Sequence, residues 1–211
     1  MQPSPDHGLL THPLLAYHLG RLRDQRTGST EFRHHLHAAA RGLAHEAARF
    51  LAQRMEPATT PLEGTTVAVW ERPLVFVPIL RAGLGLLHGF LEELPWARVG
   101  HLGMARNEST LEPEAYYTRL PDGLGRSDVW VLDPMLATGG SASAALATLK
   151  AAGARHLALC CLVAAPEGIR RVESDHPGIR LHVAAIDRAL NDRGFILPGL
   201  GDAGDRYFGT C

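Results

Sequence analysis

One segment limits the architectures open to this chain more than any other. It is Val129-Trp130-Val131-Leu132-Asp133-Pro134-Met135-Leu136-Ala137-Thr138-Gly139-Gly140-Ser141, followed by the alanine-rich run from Ala142 to Ala152. An apolar strand ends in one carboxylate, passes through a loop of glycines and hydroxyls, and opens a helix. Gly139 and Gly140 carry no Cβ, so backbone N–H groups can be aimed at an anion, and Gly140 is expected to take a positive φ. The first helical turn adds unpaired donors and the positive end of the helix dipole. Thr138 and Ser141 add hydroxyls. Asp133 repels phosphate, so it suits ribose hydroxyls or a magnesium-bound group, and the ligand expected is a phosphorylated sugar.

The loop has no lysine after its glycines, which departs from the nucleoside-triphosphatase pattern, and it is not the dinucleotide fingerprint either. Standing alone, it also fits an ordinary strand-turn-helix connection with Ser141 as N-cap. From Val67 onward, short β-rich runs alternate with helical ones: strands Val67–Trp70, Leu74–Ile79, Val99–Met104, Val129–Leu132, His156–Val163 and Arg180–Ala184, and helices Leu84–Leu94, Ser141–Ala152 and Glu167–His176. That alternation predicts an α/β fold, a mostly parallel twisted sheet with flanking helices. Ligands of such sheets bind beyond the carboxyl ends of the strands. Upstream, Thr30 is a candidate cap for a helix whose apolar face is Phe32, Leu36, Leu43, Ala47 and Phe50.

At 211 residues the chain is expected to be a single domain that buries roughly 70% of its unfolded surface without staples. Cys160 and Cys161 are adjacent in an apolar strand and face opposite ways, and Cys211 ends the chain, so no disulfide framework is expected and a reducing, cytoplasmic compartment fits. No apolar run approaches the ~20 residues that span a bilayer, which argues against a membrane partner. With 21 basic and 22 acidic residues, the composition offers no general footprint for nucleic acid. His34, His35 and His37 with Glu31 suggest a metal, but no cysteine or third ligand stands nearby, and a solvated helix face is favoured. His88 reads as a packed or capping residue.

The segment DPMLATGGS closely resembles the phosphoribosyl diphosphate (PRPP) loop of uracil phosphoribosyltransferases. Three further motifs agree in the same order: Pro78-Ile79-Leu80-Arg81-Ala82-Gly83-Leu84-Gly85, Met104-Ala105-Arg106-Asn107-Glu108, and Pro198-Gly199-Leu200-Gly201-Asp202-Ala203-Gly204-Asp205. The resemblance runs from about His12 to Thr210. It implies a type I phosphoribosyltransferase fold with a helical N-terminal arm (1–65), a β-hairpin flap (107–125) and a C-terminal base-binding hood (186–211). It implies PRPP contacts from Arg81, Arg106, the loop Asp133, Pro134, Met135, Leu136, Ala137, Thr138, Gly139, Gly140 and Ser141, and Asp202. Uracil would be read by Ile196, Gly201, Asp202 and Ala203, with Asp205 supporting that loop.

The reaction so implied joins uracil to PRPP, giving UMP and diphosphate, with Arg81, Arg106, Asp133 and Asp202 in electrostatic and positioning roles. Magnesium would enter mainly on PRPP. A GTP effector and a homodimer or larger homo-oligomer are further implications. The chain departs from the family pattern at Ala105, where an aromatic is common, and at Arg119, where lysine is common. Both departures bear on flap closure. Two rival readings remain at this level: a PRPP-sensing RNA-binding regulator, which lacks the basic face it needs, and a transferase for a purine or orotate, which a substrate panel separates.

Overall fold

A computed structural model of the chain describes residues 7–9, 12–106 and 113–210. The short strand β1 (His7–Leu9) precedes α1 (Pro13–Arg23) and α2 (Ser29–Ala48). Pro13 opens α1, His12 Nδ1 accepts the Leu14 N–H at 3.2 Å, and Leu15, Leu19 and Leu22 recur on its buried face. On α2 the buried stripe is Phe32, Leu36, Ala39, Ala40, Leu43, Ala44 and Ala47. Two expectations change here. Thr30 lies inside the first turn behind a Gly28 N-cap, and Phe50 falls past the helix end and is exposed.

The helical arm ends earlier than expected. Pro57 and Pro61 are incompatible with a helix interior, while Thr65, Thr66, Val67 and Val69 favour extended backbone. Residues 53–70 instead form an antiparallel ribbon, β2 (Gln53–Thr59) with β3 (Gly64–Trp70), paired from Gln53↔Trp70 to Thr59↔Gly64 and separate from the main sheet.

Next in the chain are β4 (Leu74–Leu80), α3 (Leu84–Glu93), β5 (Arg98–Val99), β6 (His101–Arg106) and β7 (Pro113–Arg119). After a 3-10 turn come β8 (Asp128–Leu132), β9 (Met135–Leu136), α4 (Gly140–Ala151), β10 (His156–Ala164), α5 (Pro166–Asp175) and β11 (Arg180–Ile186). The chain closes with the ribbon β12 (Ala189–Leu190) and β13 (Ile196–Leu197), then α6 (Ala203–Phe208). The main sheet runs β1-β11-β10-β8-β4-β6-β7, parallel except for the antiparallel β6/β7 edge.

Alternation along the strands makes two cores. Phe76, Trp130, Ala158 and Cys160 face α1, α2 and α3, whereas Val75, Val77, Val129, Val131, Leu159 and Cys161 face α4 and α5. The aromatic rings of Phe76, Phe90 and Trp130 pack with centroids 5.4 to 6.1 Å apart. Each such fully buried large side chain is worth about 1.5–3 kcal/mol. Cys160 and Cys161 therefore lie on opposite faces, and burial raises both thiols' pKa values, so they stay protonated.

After β4 the chain crosses one face to β6. After β8 it crosses the other face to β10. The strand order thus reverses between β4 and β8, and a crevice opens beyond their carboxyl ends. Arg81 and Asp133 come directly after those two strands.

Candidate active site

Within the crevice, β8 hands over to the loop that the sequence marks as an anion cradle. The Asp133 N–H donates to the Cys160 carbonyl at 3.1 Å, which pins the loop's start to β10. Sequence reasoning missed the tiny strand β9, whose Met135 and Leu136 pair with Val163 and Ala164. That pairing turns the side chain of Leu136 into the core, and Pro134 is likewise buried, with its carbonyl accepting from Leu162 and Val163. These two residues serve the loop through their backbone.

The glycines divide their work differently from expectation. Gly139 holds φ +80° as the helix cap, while Gly140 is the first helical residue. A Cβ at Gly139 would also lie 2.8 Å from the Gly168 carbonyl oxygen, so the loop and α5 approach at van der Waals limits. Ser141 sits in the first turn rather than at the cap, and Thr138 Oγ1 lies 3.5 Å from the Gly140 N–H. The hollow lined by Asp133 and residues 135–142 holds about 100 Å³.

Asp133 is half-buried at the mouth of this hollow. Desolvation pushes its carboxyl up to about 7, against the opposing effect of one long hydrogen bond, 3.4 Å, from the Met135 N–H.

On the other side of the crevice, Arg81 is exposed and donates from Nη2 to Asp205 Oδ1 at 3.1 Å, with its guanidinium 5.5 Å from the Phe208 ring centre. Asp205 Oδ1 also accepts the Thr210 hydroxyl at 2.7 Å. The expected supporting role of Asp205 thus has a geometry: it ties the β4 loop to the C-terminal helix. Asp202 Oδ1 caps α6 by accepting the Asp205 N–H at 2.9 Å, a use for which Asp is among the favoured residue types. Both the Leu80–Arg81 and the Leu197–Pro198 peptides are cis.

Ile196, Gly201, Asp202 and Ala203 come together around a second hollow of about 210 Å³. Ala82, Met135, Ala137, Gly194, Phe195 and Gly204 complete its wall. Of these, Ala82 and Phe195 lacked any chemical signal, since an apolar wall looks like core until the fold is known. Among the described residues, the backbone N–H and C=O of Gly201 and the N–H of Asp202 have no hydrogen-bond partner. Met135 and Ala137 line both hollows, so the anion cradle and the slot share a wall. Other hollows of about 400 Å³ occur elsewhere, but none of the cradle residues lines them.

The slot's loop is held from behind by residues that sequence analysis missed. Arg23 and the buried Asp187 form a partly buried bidentate pair, with Nη1–Oδ2 2.7 Å and Nη2–Oδ1 2.8 Å, and each also binds the Gly199 backbone. Arg206 lies over Phe32 and donates to the carbonyls of Leu22, Leu200, Asp24 and Thr27.

Arg106 ends β6, but its side chain lies outside the described residues, as do Asn107, Glu108 and the rest of 107–112. The far boundary of the expected flap is corrected by the residues after β6. β7 pairs with β6 and brings Pro113 to the cradle, but Leu124 is buried and Arg98 fixes the Asp122 carbonyl at 2.8 Å, so residues 122–125 belong to the body. His34 and His35 pack against His18, with His18 Nδ1 3.0 Å from His35 Nδ1, and no group of three able to hold a metal ion occurs among the described residues. His88 instead stacks on His37, ring centres 4.5 Å apart.

Comparison with known proteins gives these hollows their context. The family model for uracil phosphoribosyltransferase matches residues 9–210. Uracil phosphoribosyltransferases of Clostridium botulinum and Desulfitobacterium hafniense are 46% and 47% identical to this chain, covering 95% and 96% of it and 97% of each relative. Among solved structures, the AQ2163 protein from Aquifex aeolicus superposes with a TM-score of 0.89 at 38% identity, over 96% of this chain and 97% of that one. A hypoxanthine phosphoribosyltransferase from Staphylococcus aureus, TM-score 0.52 at 14% identity over 80% and 85% of the two chains, shares the fold alone. A family model that spans residues 9–210 and relatives 46–47% identical over nearly the whole chain show that the chain belongs to the uracil phosphoribosyltransferase family.

Proposed function

We propose that this protein transfers the phosphoribosyl group from PRPP to uracil, giving UMP and diphosphate in pyrimidine salvage, with the two hollows as its substrate sites. The observation that carries this reading is their shared wall at Met135 and Ala137. A sugar phosphate seated in the cradle would present its C1 to a base in the slot.

Cradle N–H groups at Thr138 to Ser141 anchor the 5-phosphate, and Asp133 accepts the ribose hydroxyls. Arg81 and Arg106 neutralise the departing diphosphate with planar, multi-donor guanidinium groups. As the C1–O bond lengthens, the ribose gains oxocarbenium character, uracil N1 attacks the opposite face, and the N1 proton passes to the departing diphosphate or to water. Uracil presents an N–H between two carbonyls, which the unpaired backbone groups of Gly201 and Asp202 can complement while Ala203 keeps the slot narrow. Catalysis is then positioning and charge stabilisation, with no nucleophilic side chain.

Magnesium would enter mainly on PRPP, with Asp202 as the carboxylate of the slot able to meet it. The second carboxylate oxygen of Asp202 has no protein partner among the described residues, and such a hard donor suits a cation that keeps most of its waters. When bound, the metal supplies charge neutralisation on the diphosphate.

The test is incubation with PRPP, magnesium and each nucleobase, with identification of the product. UMP from uracil alone is expected, and a purine nucleotide or orotidylate overturns the base assignment. The same assay with added GTP tests the effector that the resemblance implies.

A homo-oligomer is supported by the β2/β3 ribbon, which leaves Met55 61%, Leu62 94% and Val67 41% exposed. Sedimentation should give at least a dimer. A cytoplasmic setting agrees with the protonated, unpaired Cys160 and Cys161, and no helix of the described residues is long and apolar enough to cross a membrane.

A further inference from the structure

The cradle loop carries no basic side chain of its own, so its backbone donors and two hydroxyls face a doubly charged phosphate without a full positive charge. One lies across from it. A Cβ placed on Gly140 would stand 3.4 Å from Arg171 Nη1, 3.7 Å from Thr138 Oγ1 and 3.1 Å from Pro113 Cγ. The guanidinium of a residue on α5 and the hydroxyl of the cradle therefore meet at the side of Gly140 that lacks a side chain, with Pro113 packed against the same side.

A helix-surface arginine commonly waves in solvent, but this one is steered. Arg171 Nε lies 3.6 Å from Asp175 Oδ2, and that same oxygen accepts the Ser143 hydroxyl at 2.6 Å. Ser143 belongs to the first turns of α4, and its hydroxyl also meets His176 Nε2 at 3.1 Å. Asp175 thus engages the Nε edge of the guanidinium from a point fixed to α4, and Nη1 stands beside Gly140. The Arg171 backbone is equally fixed, because its Cβ lies 3.2 Å from where a Cβ on Gly139 would be.

We propose that Arg171 is a substrate-binding residue of this enzyme, donating from Nη1 to the 5-phosphate of PRPP and of UMP, and that Asp175 and Ser143 are the positioning residues that aim it. The inference rests on the phosphoribosyl-transfer reading of the cradle. In that role Arg171 holds a group that does not change charge during the reaction. It binds substrate and transition state alike, and its loss raises the KM for PRPP while leaving kcat in place. Arg81 and Arg106 act on the diphosphate end and predict the opposite split.

Calorimetry with ribose 5-phosphate, which carries the 5-phosphate and no diphosphate, provides the direct readout. For Arg171→Gln, about tenfold weaker ribose 5-phosphate binding is expected, as for the loss of one charge-assisted hydrogen bond. Diphosphate binding and kcat at saturating PRPP should stay within twofold of wild type. Arg171→Lys should recover part of the loss, and Arg170→Gln, at an exposed position next to it on the same helix, should keep wild-type values throughout. Equal ribose 5-phosphate affinity in wild type and Arg171→Gln overturns the assignment, and so does a parallel loss of diphosphate binding, which marks a general disturbance of the loop. Failure of the wild type itself to bind ribose 5-phosphate overturns the reading of the cradle as well. A thermal melt of each variant separates a folding defect from a binding one. If Arg171→Gln melts early, Arg171→Lys carries the test, with wild-type stability and a binding loss confined to ribose 5-phosphate expected.

Discussion

The cradle and the slot share a wall but are built by different means. The cradle is local: nine consecutive residues leave β8, touch β10 through β9, and start α4, so one stretch of chain supplies nearly every group. The slot is assembled from afar. Its loop at Gly199 to Ala203 is held by Arg23, more than 170 residues away in sequence, and by Arg206 reaching back to Leu22 and Asp24. A local device tolerates distant mutations, whereas an assembled one fails wherever its ties are cut.

The largest expected effect tests whether the slot reads its ligand by backbone. Cytosine replaces one carbonyl by an amine and one N–H by an acceptor, so two contacts reverse in a loop whose anchoring leaves it little room to rotate. Rejection by roughly 10⁴-fold in kcat/KM is expected. Use of cytosine within tenfold of uracil would show that the slot selects by shape alone. Next comes Asp187→Ala, which strands the partly buried Arg23 charge and frees Gly199. A loss of about 3–5 kcal/mol in denaturant unfolding is expected. In the folded fraction, uracil KM should rise while ribose 5-phosphate affinity holds, and equal damage to both hollows would erase the contrast drawn between them.

Arg81, outside both hollows, ties the loop after β4 to the C-terminal helix through Asp205. Arg81→Ala should lower kcat at saturating PRPP by roughly 10²-fold or more, the range for losing a preorganised donor to developing charge, about 3 kcal/mol. A wild-type kcat with a lowered melting temperature would reduce Arg81 to a tether. Smaller again is Gly139→Ala, which meets both a left-handed backbone and the Gly168 carbonyl. The backbone cost alone is about 1–2 kcal/mol, and PRPP KM should rise at least tenfold. Gly153→Ala is the control, because Gly153 has φ +91° with open space around it. If the two variants behave alike, the close contact with α5 adds nothing.

The same contrast decides how much of the molecule is legible in its sequence. The cradle can be read because strand, carboxylate, glycines and helix stand in one row, and their order alone dictates their geometry. Even there the strand β9 escapes, since two residues carry no periodicity, and the left-handed position falls on Gly139 instead of the expected Gly140. Helix α1 leaves a signal that could have found it, Pro13 before apolar positions 15, 19 and 22. The residues lining the slot are named only through resemblance, and its anchors Arg23, Asp187 and Arg206 carry no local mark. Their role depends on which distant backbone carbonyls the fold brings to them, and periodicity holds no information about that. Arg171 is the intermediate case: an ordinary helical arginine in the sequence, directed only once α5 packs against Gly139.

The smallest expected effect concerns protons. Folding moves the Asp133 carboxyl from its ordinary value of 3.8 up to about 7, chiefly by desolvation. Between those values the folded, ligand-free protein holds a proton that the unfolded chain has released. The unfolded state binds fewer protons across that window, so stability must fall as pH rises from about 4 to about 7 and level off above it. Because Asp133 opens onto the cradle and solvent relieves part of its burial, the change is on the order of 1 kcal/mol. Denaturant unfolding of wild type and Asp133→Asn across this range isolates the contribution, since the amide does not titrate. The difference between the two proteins should shift by that amount and then flatten. A ribose or a cation brought to the carboxylate favours its charged form, so adding PRPP with magnesium should make proton release accompany binding near pH 6. A flat difference curve without ligand would mean that the crevice is wetter at Asp133 than its packing implies.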